Sequence, residues 1–112
     1  MRWYRPLYLS KNTADQIDKI REKAAAGAWV PGIYFVTLSS EPEHLLDLFH
    51  NTMLKESIFR DVQRLDIVGV AQGRMEALRM VEKIVKDKYQ ETGGFDVTAW
   101  FPEEYFTDSE GA

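Results

Sequence analysis

Leu65-Asp66-Ile67-Val68-Gly69-Val70-Ala71, followed by Gln72-Gly73 and then by the periodic stretch 74–90, decides the fold class of this 112-residue chain. Its first seven residues are apolar at successive rather than alternate positions, a pattern that suits a strand covered on both faces. Beyond Gly73 the period changes. Ala77, Leu78, Val81, Ile84, Val85 and Tyr89 line one side of a helix, Glu82 precedes Lys86 in the favourable i, i+4 order, and Gly93-Gly94 ends the run. A covered strand, a glycine turn and an amphipathic helix form an α/β unit.

Working outward, Ile33-Tyr34-Phe35-Val36-Thr37-Leu38 repeats the continuous apolar pattern, so it and 65–71 are expected to be central and adjacent strands. Trp3-Tyr4-Arg5-Pro6-Leu7-Tyr8-Leu9 is an aromatic-rich strand, and Pro6, which has no N–H for a ladder, assigns it to an edge or marks its start. Asp96-Val97-Thr98-Ala99-Trp100-Phe101 alternates and reads as a half-covered edge strand. A first helix is expected from Thr13, with Gln16 completing a capping box, Ile17, Ile20 and Ala24 as its stripe and Gly27 as its stop. A second is expected from Ser40, with Glu43 as its capping partner and Pro42 in the first turn. Its apolar face is Leu45, Leu46, Leu48, Phe49, Met53 and Leu54, and Ile58 and Val62 continue it, bent or broken, to about residue 64. The alternation βαβαβαβ predicts a single small α/β domain with a mostly parallel four-stranded sheet and helices packed on it.

Apolar residues at 45% and charged residues at 29% match ordinary globular domains and exclude disorder as the main state. No run approaches the roughly 20 apolar residues of a membrane span, and the start Met1-Arg2-Trp3-Tyr4-Arg5-Pro6 lacks a signal-peptide core, so a cytoplasmic location without membrane contact is expected. The absence of Cys excludes disulfides, thiolate metal sites and cysteine nucleophiles. The net charge of −4 is unevenly placed. All 14 Lys and Arg and 14 of the 18 acids fall within residues 1–101, leaving that body neutral, and the whole imbalance lies in 102–112. This segment is expected to be an acidic, flexible C-terminal tail outside the domain 1–101, unless Tyr105 and Phe106 dock it with its acids against the basic start.

In a parallel sheet ligands bind beyond the carboxyl ends of the strands. That edge would gather Ser10, Lys11 and Asn12 from the first turn, Ser39 from the second and Gln72, Gly73 and Arg74 from the third. Short hydroxyl and amide side chains, helix N-termini, a glycine permitting close approach and two cations would suit a small anion. The same residue types are also what helix caps and turns require. Ser10-Lys11-Asn12-Thr13 resembles the Ser/Thr-rich phosphate loop of flavodoxin-like proteins but lacks its glycine, and the chain is short for that fold, so no FMN and no other cofactor is inferred.

Residues 70–74 carry neither a dinucleotide fingerprint nor a P-loop. His44, Asp47 and His50 spread over about 120° of a helix surface, which makes no metal site. Ser39-Ser40 is in no nucleophile elbow, Glu41 and Glu43 suit a first helical turn, and no catalytic residue is assigned. Arg2-Trp3-Tyr4-Arg5 could stack bases, but no basic stripe extends it, so nucleic acid is not expected. Three helices leave apolar candidates such as Trp29, Met75, Met80 and Trp100 without obvious cover. The expected function is therefore a non-catalytic domain acting through self-association as a homodimer or through a protein partner. The alternative is a binder of, or enzyme acting on, a small anionic ligand at the sheet edge.

Overall fold

The continuous apolar strand at 66–72 is at the centre of the sheet. The computed structural model describes residues 2–25, 30, 32–39, 45–50 and 66–108. In chain order these form strand β1 (Arg2–Leu9), a 3-10 turn (Ala14–Gln16), helix α1 (Ile17–Ala25), β2 (Ile33–Leu38), β3 (Leu46–His50), β4 (Asp66–Gln72), α2 (Arg74–Thr92), α3 (Val97–Trp100), a second 3-10 turn (Glu103–Tyr105) and β5 (Phe106–Asp108). The sheet order is β3-β2-β4-β1-β5. Among the described strands only β1 and β4 run parallel; β2 opposes both β3 and β4, and β5 opposes β1.

The described residues thus form an α/β domain with a five-stranded mixed sheet and three helices, which corrects the mostly parallel four-stranded sheet. Alternation of helix and strand does not fix strand direction; connector length does. Seven residues, 26–32, separate α1 from β2 and span up to about 25 Å when extended. Ile33 consequently starts level with Gln72, at the end where β1 finishes, and β2 runs back. The expected adjacency of the strands at 33–38 and 66–72 is present as the β2–β4 pair.

Three further expectations are corrected. Residues 46–50 form β3, because Leu46 and Leu48 both reach the core over β2 from an antiparallel strand, a spacing as consistent with period two as with a helix. Of the rest of the expected second helix, Leu45 is a bend residue packed against the core, and Ser40, Pro42, Glu43, His44 and residues 51–64 lie outside the described residues, as do Gly27 and Trp29. Residues 97–100 form α3 rather than a fourth strand, since Asp96 Oδ1 accepts from Thr98 N at 3.1 Å and caps a helical turn. Finally, β1 is not an edge. Its ladder with β4 breaks so that residues 4–7 lie opposite Val68 alone, and inside this excursion the missing N–H of Pro6 interrupts no pairing with β4.

Each face of the sheet has its own core. On one, α1 sets Ile20 and Ala24 on Trp3, Ile33, Phe35, Ile67 and Val70. On the other, α2 and the residues after it set Ala77, Met80, Ile84, Trp100 and Phe101 on Tyr4, Val36, Val68 and Ala71. Gly69 lies where β4 bulges between the pairs Val36↔Gly69 and Thr37↔Ile67, and a Cβ there would meet Met80 Sδ at 2.6 Å. At its C-terminus α2 stops as expected, on Gly93 in the left-handed region with its N–H on Tyr89 O at 2.7 Å. Trp100 then folds back, its Nε1 donating to Thr92 Oγ1 at 3.1 Å and Gly94 O at 3.0 Å.

Within the described part of the last segment, residues 103–108 pack on β1. Arg2 pairs with Asp66 on β4 at 2.7 Å and with Glu103, and its guanidinium lies 5.0 Å from the Phe106 ring centroid. Tyr4 packs edge-on against both Tyr105 and Phe106. Arg2 draws the exposed Glu103 carboxyl below the usual carboxylate range.

Candidate functional site

The turn after β1 carries the first of the expected ligand residues. Ser10 and Thr13 are buried there, and their hydroxyls are engaged. Ser10 Oγ accepts from Gln72 N at 3.1 Å, and the Thr13 hydroxyl donates to Ser10 O at 2.9 Å and Val70 O at 3.1 Å. Thr13 makes no side-chain cap for the following turn, and Gln16 reaches Asn12 O instead of completing a capping box. Gly73 has φ of 89° and gives its N–H to Gly32 O at 2.8 Å. This polar cluster therefore stitches β1 to β4.

Six of the seven expected ligand residues, Ser10, Lys11, Asn12, Gln72, Gly73 and Arg74, gather at this end of the sheet, but Ser39 does not. It follows Leu38 at the opposite end of β2, about 20 Å along the strand from the Ile33–Gln72 pair. Lys11 does face Arg79 and Lys83 across a depression of about 250 Å³. Arg79, however, is paired with Glu76 at 3.1 Å and Lys83 with Asp87 at 3.5 Å, so carboxylates answer two of its three cations. Tyr8 donates to the same Asp87 at 3.2 Å, and burial, followed by the charge of Asp87, pushes its phenol up to about 12.

A larger cleft, about 370 Å³, lies on the α1 face of β1. Among the described residues α1, nine residues long, packs over β2, β4 and the start of β1 and not over β5, and residues 4–7 leave the β4 ladder. Trp3, 1% exposed, forms the floor and meets Phe35 edge-on at 5.9 Å. Leu7, Leu9 and Ile17 form the apolar walls, while Arg5, Arg21 and Thr107 supply the polar groups. The Arg21 guanidinium stands 5.4 Å from the Trp3 ring centroid. Among the described residues neither Arg5 nor Arg21 has a carboxylate within ion-pair distance.

Sequence reasoning placed none of this cleft. Thr107 falls in the segment expected as a tail, and Arg5 in the basic start for which no nucleic-acid role is expected. Trp3 and Tyr4 are in fact buried on opposite faces of the sheet. The available signal was the lack of any acid among residues 1–11. His50 and Asp47 lie three apart on β3 and so on opposite faces; among the described residues no three His, Cys, Asp or Glu side chains cluster as metal ligands. Among them too, no helix is long and apolar enough to cross a membrane. No protein-family model, curated protein or solved structure matches this chain.

Proposed function

We propose that this chain is a non-catalytic binding domain that takes a small organic anion in the cleft between α1, β1 and β5. The observation that carries the reading is the pair Arg5 and Arg21. Both flank one concave site of about 370 Å³, within the range of small-molecule pockets, and no described carboxylate neutralises them. Guanidinium groups stay charged at any physiological pH, so an incoming anion meets two fixed positive forks. The lining includes no imidazole or carboxylate to act as general base, which favours binding over turnover.

A thermal-shift panel of phosphate, citrate, a hexose phosphate and benzoate on the full chain tests this. A ligand present at 100 times its Kd adds about 2.7 kcal/mol, or about 10 °C for a domain of this size. The expected shift disappears in the double variant R5A/R21A; no shift with any anion, or one that survives in that variant, refutes the proposal.

Self-association is the second reading, favoured by Met75 and Leu78, which are 63% and 44% exposed on α2 beside a shallow depression bordered by Val81 and Val85. Sedimentation equilibrium of wild type and M75D/L78D decides it: a dimer abolished by the substitutions supports it, and a wild-type monomer at high concentration removes it.

A further inference from the structure

The cleft has polarity along its length. Ile17 and Arg21 are one turn apart on α1, about 6 Å along its axis, and they face different ends of β1. Leu9 sits with Ile17 towards the end of β1, whereas Trp3, Arg21 and Thr107 sit at its start, where Trp3 pairs with Thr107 across to β5. One end of the site is therefore walled by aliphatic side chains and the other carries the Arg21 guanidinium over Trp3, with Arg5 between Trp3 and Leu7 along β1.

The side-chain hydrogen-bonding inventory is equally one-sided. Each guanidinium offers five N–H donors and no acceptor. Of the two hydroxyl-bearing residues in the lining, Tyr4 sets its ring among Phe101, Tyr105 and Phe106 in the core of the opposite face, and the Thr107 hydroxyl lies 3.4 Å from Trp3 O and is oriented to donate to it. A sugar phosphate or an amino acid would bring hydroxyl or ammonium donors into a site whose side chains offer one hydroxyl oxygen to receive them, and a donor left unpaired on burial costs about 1–3 kcal/mol. A carboxylate on an apolar body brings acceptors only at its head and apolar surface elsewhere. From this polarity and this inventory we infer that the ligand, if the small-anion reading on which this rests is right, is a monocarboxylate with an unbranched aliphatic or flat aromatic body free of hydrogen-bond donors. Its carboxylate meets Arg5 and Arg21, and its body lies along Leu7, Leu9 and Ile17.

Isothermal titration of the full chain with octanoate, 2-naphthoate, acetate, glucose 6-phosphate and octanol separates the possibilities. Octanoate or 2-naphthoate is expected to bind at least tenfold more tightly than acetate, glucose 6-phosphate or octanol. R5Q/R21Q, in which both positions stay polar, should weaken that binding at least tenfold while the far-UV circular dichroism is unchanged; I17T should weaken octanoate without creating affinity for glucose 6-phosphate. Tighter binding of glucose 6-phosphate, lost in R5Q/R21Q, overturns the carboxylate inference and leaves the small-anion reading standing. Octanoate binding undiminished in R5Q/R21Q, or equal affinity for octanol, overturns the inference by showing that the head group contributes nothing. Absence of binding by all five probes overturns both.

Discussion

Replacing Ser10 by Ala tests whether the hydroxyls after β1 belong to the fold or to a ligand. Ser10 Oγ is the acceptor for Gln72 N–H at 3.1 Å, and the Ser10 backbone N–H bonds Val70 O at 3.1 Å, so one residue holds the ends of β1 and β4 together twice. The substitution leaves the backbone bond and removes the side-chain acceptor. A donor stripped of its partner costs about 1–3 kcal/mol when fully buried; the Gln72 amide is only part-buried, which sets the expected loss at about 1–2 kcal/mol. With a urea m value of about 1.5 kcal/mol/M, the unfolding midpoint should fall by about 0.7–1.3 M with m unchanged. Hydrogen exchange followed by NMR gives a local readout: the Gln72 amide should lose protection out of proportion to its neighbours in β4. A midpoint within about 0.2 M of wild type together with an undiminished Gln72 protection factor would refute the reasoning, and would return the Ser10 hydroxyl to the pool of groups free to meet a ligand.

Three other outcomes follow from the packing. Gly69→Ala places a Cβ 2.6 Å from Met80 Sδ in a closed core, so chemical denaturation should show a loss of about 1–3 kcal/mol even though the strand backbone accepts alanine. Ile84→Ala, fully buried on the inner side of α2, should cost about 2–5 kcal/mol, whereas the exposed Leu78→Ala should change stability by less than about 0.5 kcal/mol; equal effects would mean that α2 is rotated from the orientation described. The raised pKa of Tyr8 makes its protonated form the one the fold prefers. Its contribution is complete below pH 10 and drains away as pH rises towards about 12, so Tyr8→Phe should flatten the decline in stability across that interval, and an unchanged profile would show that the phenol does not titrate late.

How far the residues themselves reach is visible element by element. The extent of α2 is legible because its helical period and its glycine stop act within a few residues of one another, but its inner face is not. Met80 is buried with Ala77 and Ile84, whereas Leu78 and Tyr89 are exposed, and the ion pairs of the helix are Arg79–Glu76, Lys83–Asp87 and Lys88–Glu91 rather than Glu82–Lys86. The burial of β4 and its place beside β2 are legible for a similar reason, since an uninterrupted apolar run allows few positions other than the middle of a sheet. The confusion of β3 with a helix and of α3 with a strand arises in short stretches, five and four residues long, where both periods fit. There the tertiary partner decides, β2 for Leu46 and Leu48, and the Asp96 cap for α3. The candidate cleft was the least legible part. Arg5, Arg21 and Thr107 come from a strand bulge, a helix flank and the final strand, and no spacing along the chain connects them.

By itself, then, the amino-acid order determined the α/β class, the two central strands, the long helix with its stop and the neutral body with its acidic end. Each of these rests on interactions among residues close in sequence or on a hydrophobic pattern that must be buried somewhere. Strand direction, the bulge at residues 4–7, the docking of the last strand through Arg2 and the opening beside α1 were decided only in three dimensions. They depend on where chain ends return and on which surfaces one short helix leaves uncovered, and both are properties of the assembled sheet.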